Sequence, residues 1–256
     1  MPNINSREFS EEDLFSAFDT HLLSNLSTEI YLIWLVFLMS NLEFKEAHRA
    51  HGTTTVGLMF DQGVILASDT RAIAGGYFIA HKQVKKILKI DDHLAMTIAG
   101  GVADAQNVVD TIRYHANLYR LQKQAPLPVR SAAQLISNIM FSARLYPYIA
   151  DILVGGRDST GSTIFNIDLF GSLSEAKYVS TGSGSPVAYG VLEANYKEGL
   201  SLKSGKEIAI NAITAAIKRN AGTGDGVDVV YITKDGFFEL DAAEKNAISE
   251  NLSGRT

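Results

Sequence analysis

The chain has 256 residues, 46% of them hydrophobic, with 28 acidic and 23 basic side chains and no cysteine. That length can bury a sizeable core as one domain or two small ones, and a formal net charge of -5 gives no basic face for nucleic acid. The lack of cysteine excludes a disulfide framework, a thiolate metal site and a thiol nucleophile, and fits a reducing cytoplasm.

The charge is uneven along the chain. Residues 1–52 hold eight Asp/Glu and three Lys/Arg, leaving twenty of each for the remainder, so the acidity belongs to an N-terminal leader. Within the leader, Ile30 to Met39 ("IYLIWLVFLM") is apolar throughout. Ten residues are too few for a bilayer, which needs about 20. Glu8, Glu11, Glu12, Asp13 and Asp19 precede the run with Arg7 as the one base, the opposite of a secretory signal. The segment reads as a buried helix or strand that packs on something, and no membrane association is expected.

The body opens with "TTTVGLMF", Thr53 to Phe60, then "DQG", then "VILASD", Val64 to Asp69. β-Branched and apolar runs around a Gly-containing three-residue break read as a hairpin, which brings Thr53 to Thr55 near Asp69 and Arg71 at one sheet end. After Gly75-Gly76, "YFIAHKQVKKILKI" and "LAMTIAGG" read as two further strands. From Val102 to about Gln122, Ala105, Val108, Ile112, Ala116 and Tyr119 recur at the three-or-four step of an amphipathic helix. A second helix is expected over roughly Ser131 to Leu145. Strands return in "YIADILVGG", "STIFNIDLFGS" and "AKYVSTGS", followed by a helix pair at "SPVAYGVLEANY" and "KSGKEIAINAITAAIKR". Ser204 lies three residues before Glu207 in the second of these, a capping-box pattern. "VDVVYITKDGFFEL" closes the body as a hairpin. Helix pairs between blocks of hairpins predict an α+β fold of mainly antiparallel sheets with helical layers outside. No repeat, Rossmann glycine pattern or P-loop occurs, and His51, His81 and His93 have no ligand-like spacing with carboxylates.

Five segments carry a resemblance: "GTTTVG" at 52–57, "ASDTRA" at 67–72, "VKKI" at 84–87, "TIAGGVADAQ" at 97–106 and "STGSGSPVAYGVLEANY" at 180–196. In this order and at this spacing they resemble the β-type subunit of the 20S proteasome, especially its archaeal form, from Thr53 to about Leu240. The resemblance implies the N-terminal nucleophile hydrolase fold, a four-layer αββα sandwich of two antiparallel sheets flanked by helix pairs. It also implies that residues 1–52 are a propeptide, that the Gly52-Thr53 bond is cut autocatalytically, and that 53–256 is the mature domain. Thr53 then supplies both a hydroxyl nucleophile and a free α-amine. The amine has a reference pKa of about 7.7–8.0, against about 10.4 for lysine, so enough of it is neutral to take the hydroxyl proton.

By the same matching, Asp69 and Lys86 complete the catalytic set, with the lysine favouring the deprotonated hydroxyl and the aspartate holding the ammonium. Counting straight from Thr53 points to Lys85, whereas the "KKI" context favours Lys86, and adjacent strand residues face opposite ways. Gly100 matches the glycine whose N–H forms the oxyanion hole, and Ser183 the serine beside the terminal amine. Where the family commonly reads "RDxxSGG", this chain reads "RNAGTGDG": Asn220 replaces an aspartate, Thr223 a serine, and Asp225 a glycine. Ala72, Val84, Leu88, Ile98 and Val102 match the pocket positions and are all uncharged, implying cleavage after apolar residues. The implied partners are a homo-heptameric β ring, two such rings being stacked, α-type heptameric rings, an ATP-dependent unfoldase and polypeptide substrates, with no cofactor, no nucleic acid and no membrane. The competing readings are a catalytically silent structural β subunit and a small-molecule amidohydrolase of the same nucleophile class. Read without the resemblance, "TTT" is plain β-propensity, Asp69 and Arg71 a strand-end ion pair, and Thr54 and Thr55 mainly strand.

Overall fold

A strand whose consecutive residues are all buried needs a partner on each face, and this requirement organises the molecule. The computed structural model describes residues 52–74 and 78–253, excluding the side chains of Val102, Leu252 and Ser253. The leader, with its Ile30 to Met39 segment, His51 and the Gly75-Gly76 break lie outside the described residues.

One five-stranded sheet has the order β10 (Tyr178–Gly182), β1 (Thr54–Phe60), β2 (Gly63–Asp69), β11 (Val227–Thr233) and β12 (Gly236–Glu239). The other runs β5 (Ile87–Asp91), β6 (Leu94–Gly100), β7 (Ala150–Asp158), β8 (Gly161–Ile167) and β9 (Leu173–Glu175). Every pairing is antiparallel. The period-2 pattern splits each strand between two cores. In β2, Val64 and Leu66 face the other sheet while Ile65 and Ala67 face helices. In β6, Ala95 faces inward and Leu94, Met96 and Ile98 outward, and in β7 Leu153 opposes Ile152 and Val154 in the same way. Gly155 allows the close approach of the sheets, since a Cβ there would lie 3.0 Å from Leu66 Cδ2.

Helices α1 (Val102–Lys123) and α2 (Val129–Ser142) cover the second sheet with Val108, Ile112, Ala133, Ile136 and Met140. Helices α3 (Ser185–Asn195) and α4 (Leu202–Arg219) cover the first with Ala188, Leu192, Ala209, Ile210 and Ile213. The result is the four-layer αββα arrangement. At about 25 cal/mol per Å² of apolar surface, burial on both faces of both sheets is the main favourable contribution to folding.

Several local expectations are corrected. The hairpin turn is two residues, Asp61 and Gln62, because Phe60 pairs with Gly63. The second helix spans Val129–Ser142 rather than Ser131 to Leu145, its start set by Pro128 at the N-cap, where a fixed φ and missing N–H do no harm. "YFIAHKQVKKILKI" is two strands: exposed β4 (Phe78–His81), which pairs with β3 (Ala72–Ala74), and β5, with residues 82–86 between them belonging to neither strand. The cap of α4 is Ser201, whose side chain accepts from Ser204 N, so the Ser204/Glu207 pattern does not mark the helix start. Short β9 and the C-terminal helix α5 (Ala242–Ser253) complete the described chain. Among the described residues no helix is long and apolar enough to cross a membrane.

Candidate active site

Thr53 immediately precedes β1 and is only 5% exposed, held where the two sheets open onto a cleft. Thr54 pairs with Gly182 across β1 and β10, so the start of β1 is fixed by the main chain on one side and by Asp69 on the other. Asp69 ends β2 with no exposure, and its two oxygens accept four hydrogen bonds. Oδ1 takes Thr54 N at 2.9 Å and Lys86 Nζ at 2.8 Å; Oδ2 takes Arg71 N at 3.2 Å and Gly224 N at 3.0 Å. Four donors, one of them an ammonium, offset the cost of burying this carboxylate.

Lys86 enters from the extended segment before β5, and its carbonyl accepts from Ile98 N at 3.1 Å, which anchors it to β6. Its ammonium, 7% exposed, donates to Thr53 Oγ1 at 3.0 Å as well as to Asp69. Burial pushes the Lys86 pKa below its ordinary value; Asp69 opposes the shift and the Arg71 guanidinium adds to it. Lys85 points the other way, to Glu239 at 3.0 Å on the exposed side. Of the two adjacent lysines, Lys86 is the one that reaches Thr53.

The Thr53 hydroxyl donates to Gly52 O at 2.6 Å while accepting from Lys86. Proton transfer to the lysine therefore needs only rotation of the hydroxyl proton and a neutral amine. Thr53 N lies 3.4 Å from Ser183 Oγ. That hydroxyl has one proton, and the nearer acceptor is Asn220 Oδ1 at 2.9 Å. Asn220 Nδ2 in turn donates to Ser183 O at 3.2 Å, a bond no carboxylate can make. Thr223 Oγ1, almost fully buried, donates to Asn220 Oδ1 at 2.9 Å, which leaves Thr54 as the donor in the 2.6 Å Thr54–Thr223 contact. Thr54 is thus more than a strand residue.

Asp225, at φ 69°, receives Arg71 Nε at 2.9 Å and NH2 at 3.4 Å, while Arg71 NH1 donates to Ala221 O. The guanidinium lies so close over Gly224 that a Cβ there would meet Arg71 Cζ at 2.1 Å. Arg71 holds the Asp225 carboxyl below its usual pKa by hydrogen bond and charge. The strand-end ion pair read between Asp69 and Arg71 is therefore replaced: Asp69 pairs with Lys86, and Arg71 with Asp225.

Gly100 has φ +148°, and a Cβ there would lie 2.0 Å from Ile149 O, so only glycine fits at this edge of the cleft. Ala72, Val84, Leu88 and Ile98 line the cleft beside Thr53 and Lys86. The Val102 side chain lies outside the described residues. Arg71 and Lys85 also line it, as do Ile73, Ala105 and Gln106, which motif matching did not assign to the pocket. Ala105 and Gln106 follow Val102 by three and four residues on α1, so helical periodicity could have found them. Among the described residues, no group of three His, Cys, Asp or Glu is placed to hold a metal ion.

The family model described as "Proteasome subunit" matches residues 50–232. A relative named "Proteasome subunit beta 2" from Nitrosopumilus maritimus is 54% identical over 200 residues, covering 78% of this chain and 95% of its own. The protein of the same name from Cenarchaeum symbiosum is 54% identical over 198 residues, 77% of this chain and 94% of the relative. "Proteasome subunit beta" from Ferroglobus placidus is 47% identical over 202 residues, 78% and 96% of the two chains.

Proposed function

The chain belongs to the proteasome subunit family, and on that premise we propose that it is an active threonine endopeptidase of the 20S core, made as a precursor and cut between Gly52 and Thr53. The observation that carries this reading is the Lys86 ammonium spanning Thr53 Oγ1 and Asp69 Oδ1 in a buried setting.

In maturation, the Thr53 hydroxyl adds to the Gly52 carbonyl carbon as its proton passes to neutral Lys86. The C–N bond then breaks with protonation of the nitrogen, leaving an ester from Gly52 to Thr53 Oγ1 and freeing the α-amine. Water hydrolyses the ester and releases residues 1–52. In peptide cleavage the same oxygen attacks a substrate carbonyl, the α-amine takes the proton, and Gly100 N–H stabilises the oxyanion. The leaving amine departs, and water activated by the α-amine resolves the acyl-enzyme. Ser183, Asn220 and Thr223 orient the amine through their hydrogen bonds. Ala72, Val84, Leu88, Ile98 and Val102 favour apolar residues before the cut, with weak discrimination, since one methylene is worth about 1–3 kcal/mol. The subunit works in the cytoplasm in stacked homo-heptameric β rings between α-type rings, fed unfolded chains by an ATP-dependent unfoldase.

N-terminal mapping of the assembled particle tests the reading, with Thr53 expected as the first residue. Thr53→Ala should abolish self-cutting and peptide cleavage with the fold intact, and Thr53→Ser should retain part of both. Residual peptidase activity in Thr53→Ala, or an assembled wild-type chain that still carries its leader, refutes it; the latter favours the silent structural subunit.

A further inference from the structure

Asn220 caps the C-terminal end of α4 and reaches the nucleophile through one neighbour. Its Oδ1 accepts the Ser183 and Thr223 hydroxyls, both at 2.9 Å, and its Nδ2 donates to Ser183 O at 3.2 Å. These bonds fix which way the amide points, since a flipped amide would set its oxygen against the Ser183 carbonyl oxygen, two acceptors with no proton between them. The single Ser183 proton goes to Asn220, so Ser183 Oγ offers only lone pairs to Thr53 N, 3.4 Å away. The α-amine freed by the cut therefore donates an N–H to Ser183 and keeps its own lone pair for the Thr53 hydroxyl. Charges around that amine come in closed pairs. At the end of β2, Asp69 pairs with Lys86 from the segment before β5 at 2.8 Å, and Arg71 pairs with Asp225 from the loop after α4 at 2.9 Å. Exposed Lys82 acts on Asp225, Lys85 is turned to Glu239, and Asp104 on α1 is turned to Ile149 N at 2.9 Å. The groups that bear on Thr53 N from the end of β10 and the loop after α4, Ser183, Asn220 and Thr223, are neutral.

We propose that Asn220, as an uncharged acceptor for Ser183, keeps the Thr53 α-amine neutral to lower pH than a carboxylate in its place would allow, and so sets the acid limit of peptide cleavage. The proposal rests on Thr53 being released as the N-terminal nucleophile. Asn220 touches neither substrate nor the reacting atoms; it is a positioning residue that acts through Ser183. A carboxylate at 220 would stand two hydrogen bonds from the amine, about 6 Å away. Asn220 is partly exposed, so the effective dielectric constant lies between about 20 and 80, and such a charge would raise the amine's pKa by about 0.5 to 2. At a pH near or below neutrality that rise leaves far less of the base unprotonated.

The test uses the full-length chain assembled with its α-type partner and compares wild type with Asn220→Asp and Asn220→Ala. Two quantities are followed against pH: kcat/KM for an uncharged fluorogenic peptide, and the rate at which acetic anhydride acetylates the Thr53 α-amine, read from the mass of the N-terminal peptide. The second reports the neutral amine without any turnover. In Asn220→Asp the acid limb of both should move up by about 0.5 to 2 pH units, with cleavage recovering on the alkaline side. Asn220→Ala removes the acceptor without adding charge, and should lower kcat with neither limb moving up. An unmoved amine titration in Asn220→Asp overturns the proposal. So does an equal upward move in Asn220→Ala, which would make the lost hydrogen bond, and not the missing charge, responsible. If Asn220→Asp fails to assemble, the wild-type amine decides: titration at or below the free-amine range of about 7.7–8.0 supports the proposal, and titration above it overturns it. A wild-type chain that is never cut at Thr53 has no α-amine to acetylate, and that result refutes the nucleophile reading and the proposal with it.

Discussion

Replacing Lys86 by methionine keeps the reach of the side chain and removes its charge. Asp69 then loses its shortest hydrogen bond, the 2.8 Å contact from Lys86 Nζ, and keeps three backbone donors at 2.9, 3.0 and 3.2 Å. Breaking one side of a buried ion pair costs about 3–5 kcal/mol, and the remaining donors set the expectation at the lower end. For a body of this size, about 3 kcal/mol lowers Tm by roughly 6 to 12 °C. Loss of the cation beside Thr53 Oγ1 should lower kcat by about 1000-fold. The neighbouring change sharpens the comparison, because Lys85 and Glu239 are mostly solvent-exposed and such pairs contribute about 1 kcal/mol or less. Lys85→Met should leave Tm and kcat nearly unchanged, any effect lying in KM through the cleft wall. There is also a pH signature. Burial holds the folded pKa of Lys86 below 10.5, so over the window up to 10.5 the unfolded chain binds more protons and wild-type stability rises with pH. Lys86→Met should abolish that rise. Calorimetric melts from neutral to alkaline pH, paired with turnover of a fluorogenic peptide by the assembled particle, measure both effects. If Lys85→Met lost kcat while Lys86→Met kept it, the electrostatic reasoning would be wrong.

Thr223→Val should leave the buried Thr54 hydroxyl without its 2.6 Å partner and cost about 2 kcal/mol, while Thr223→Ser keeps the bond, a difference visible in thermal melts. Ser201→Ala removes the cap of α4 and should destabilise by about 1 kcal/mol; Ser204→Ala, one turn inside the helix, should cost less, and urea melts rank the two. Asp225→Asn keeps a residue that tolerates φ 69° but cannot carry the charge. Because Arg71 depresses the Asp225 pKa below 3.8, the pair's contribution is complete above that pH and fades as pH falls through the lower folded value. Asp225→Asn should therefore flatten the acid side of a Tm-against-pH curve.

The layering was legible because both faces of the sheets are apolar: runs such as Val64 to Ala67 leave no side for water. The helix pairs were legible from their 3.6-residue period. Exposed β4 was merged with β5 because both are rich in strand-forming residues, and the break at 82–86 has neither Gly nor Pro to mark it. The capping-box pattern pointed to Ser204, which has Glu207 three residues on, whereas the cap is Ser201, which has no Glu at that offset. The Thr53, Asp69 and Lys86 grouping could be approached from motif spacing, but the Lys85 alternative persisted until the path of the segment before β5 was known. The pairing of Arg71 with Asp225 joins segments more than 150 residues apart in sequence. No local pattern records such a contact.

The four donors to Asp69 also set a clock. Their separations along the chain are 15, 2, 17 and 155 residues, so three can form early in synthesis and the fourth cannot. At about 5–20 residues per second, the ribosome needs roughly 8 to 30 s after Asp69 to produce Gly224. Closing so long a loop is also among the slower events of folding. A nascent or truncated chain that stops short of Gly224 therefore lacks one of the four donors that seat the carboxylate under Lys86.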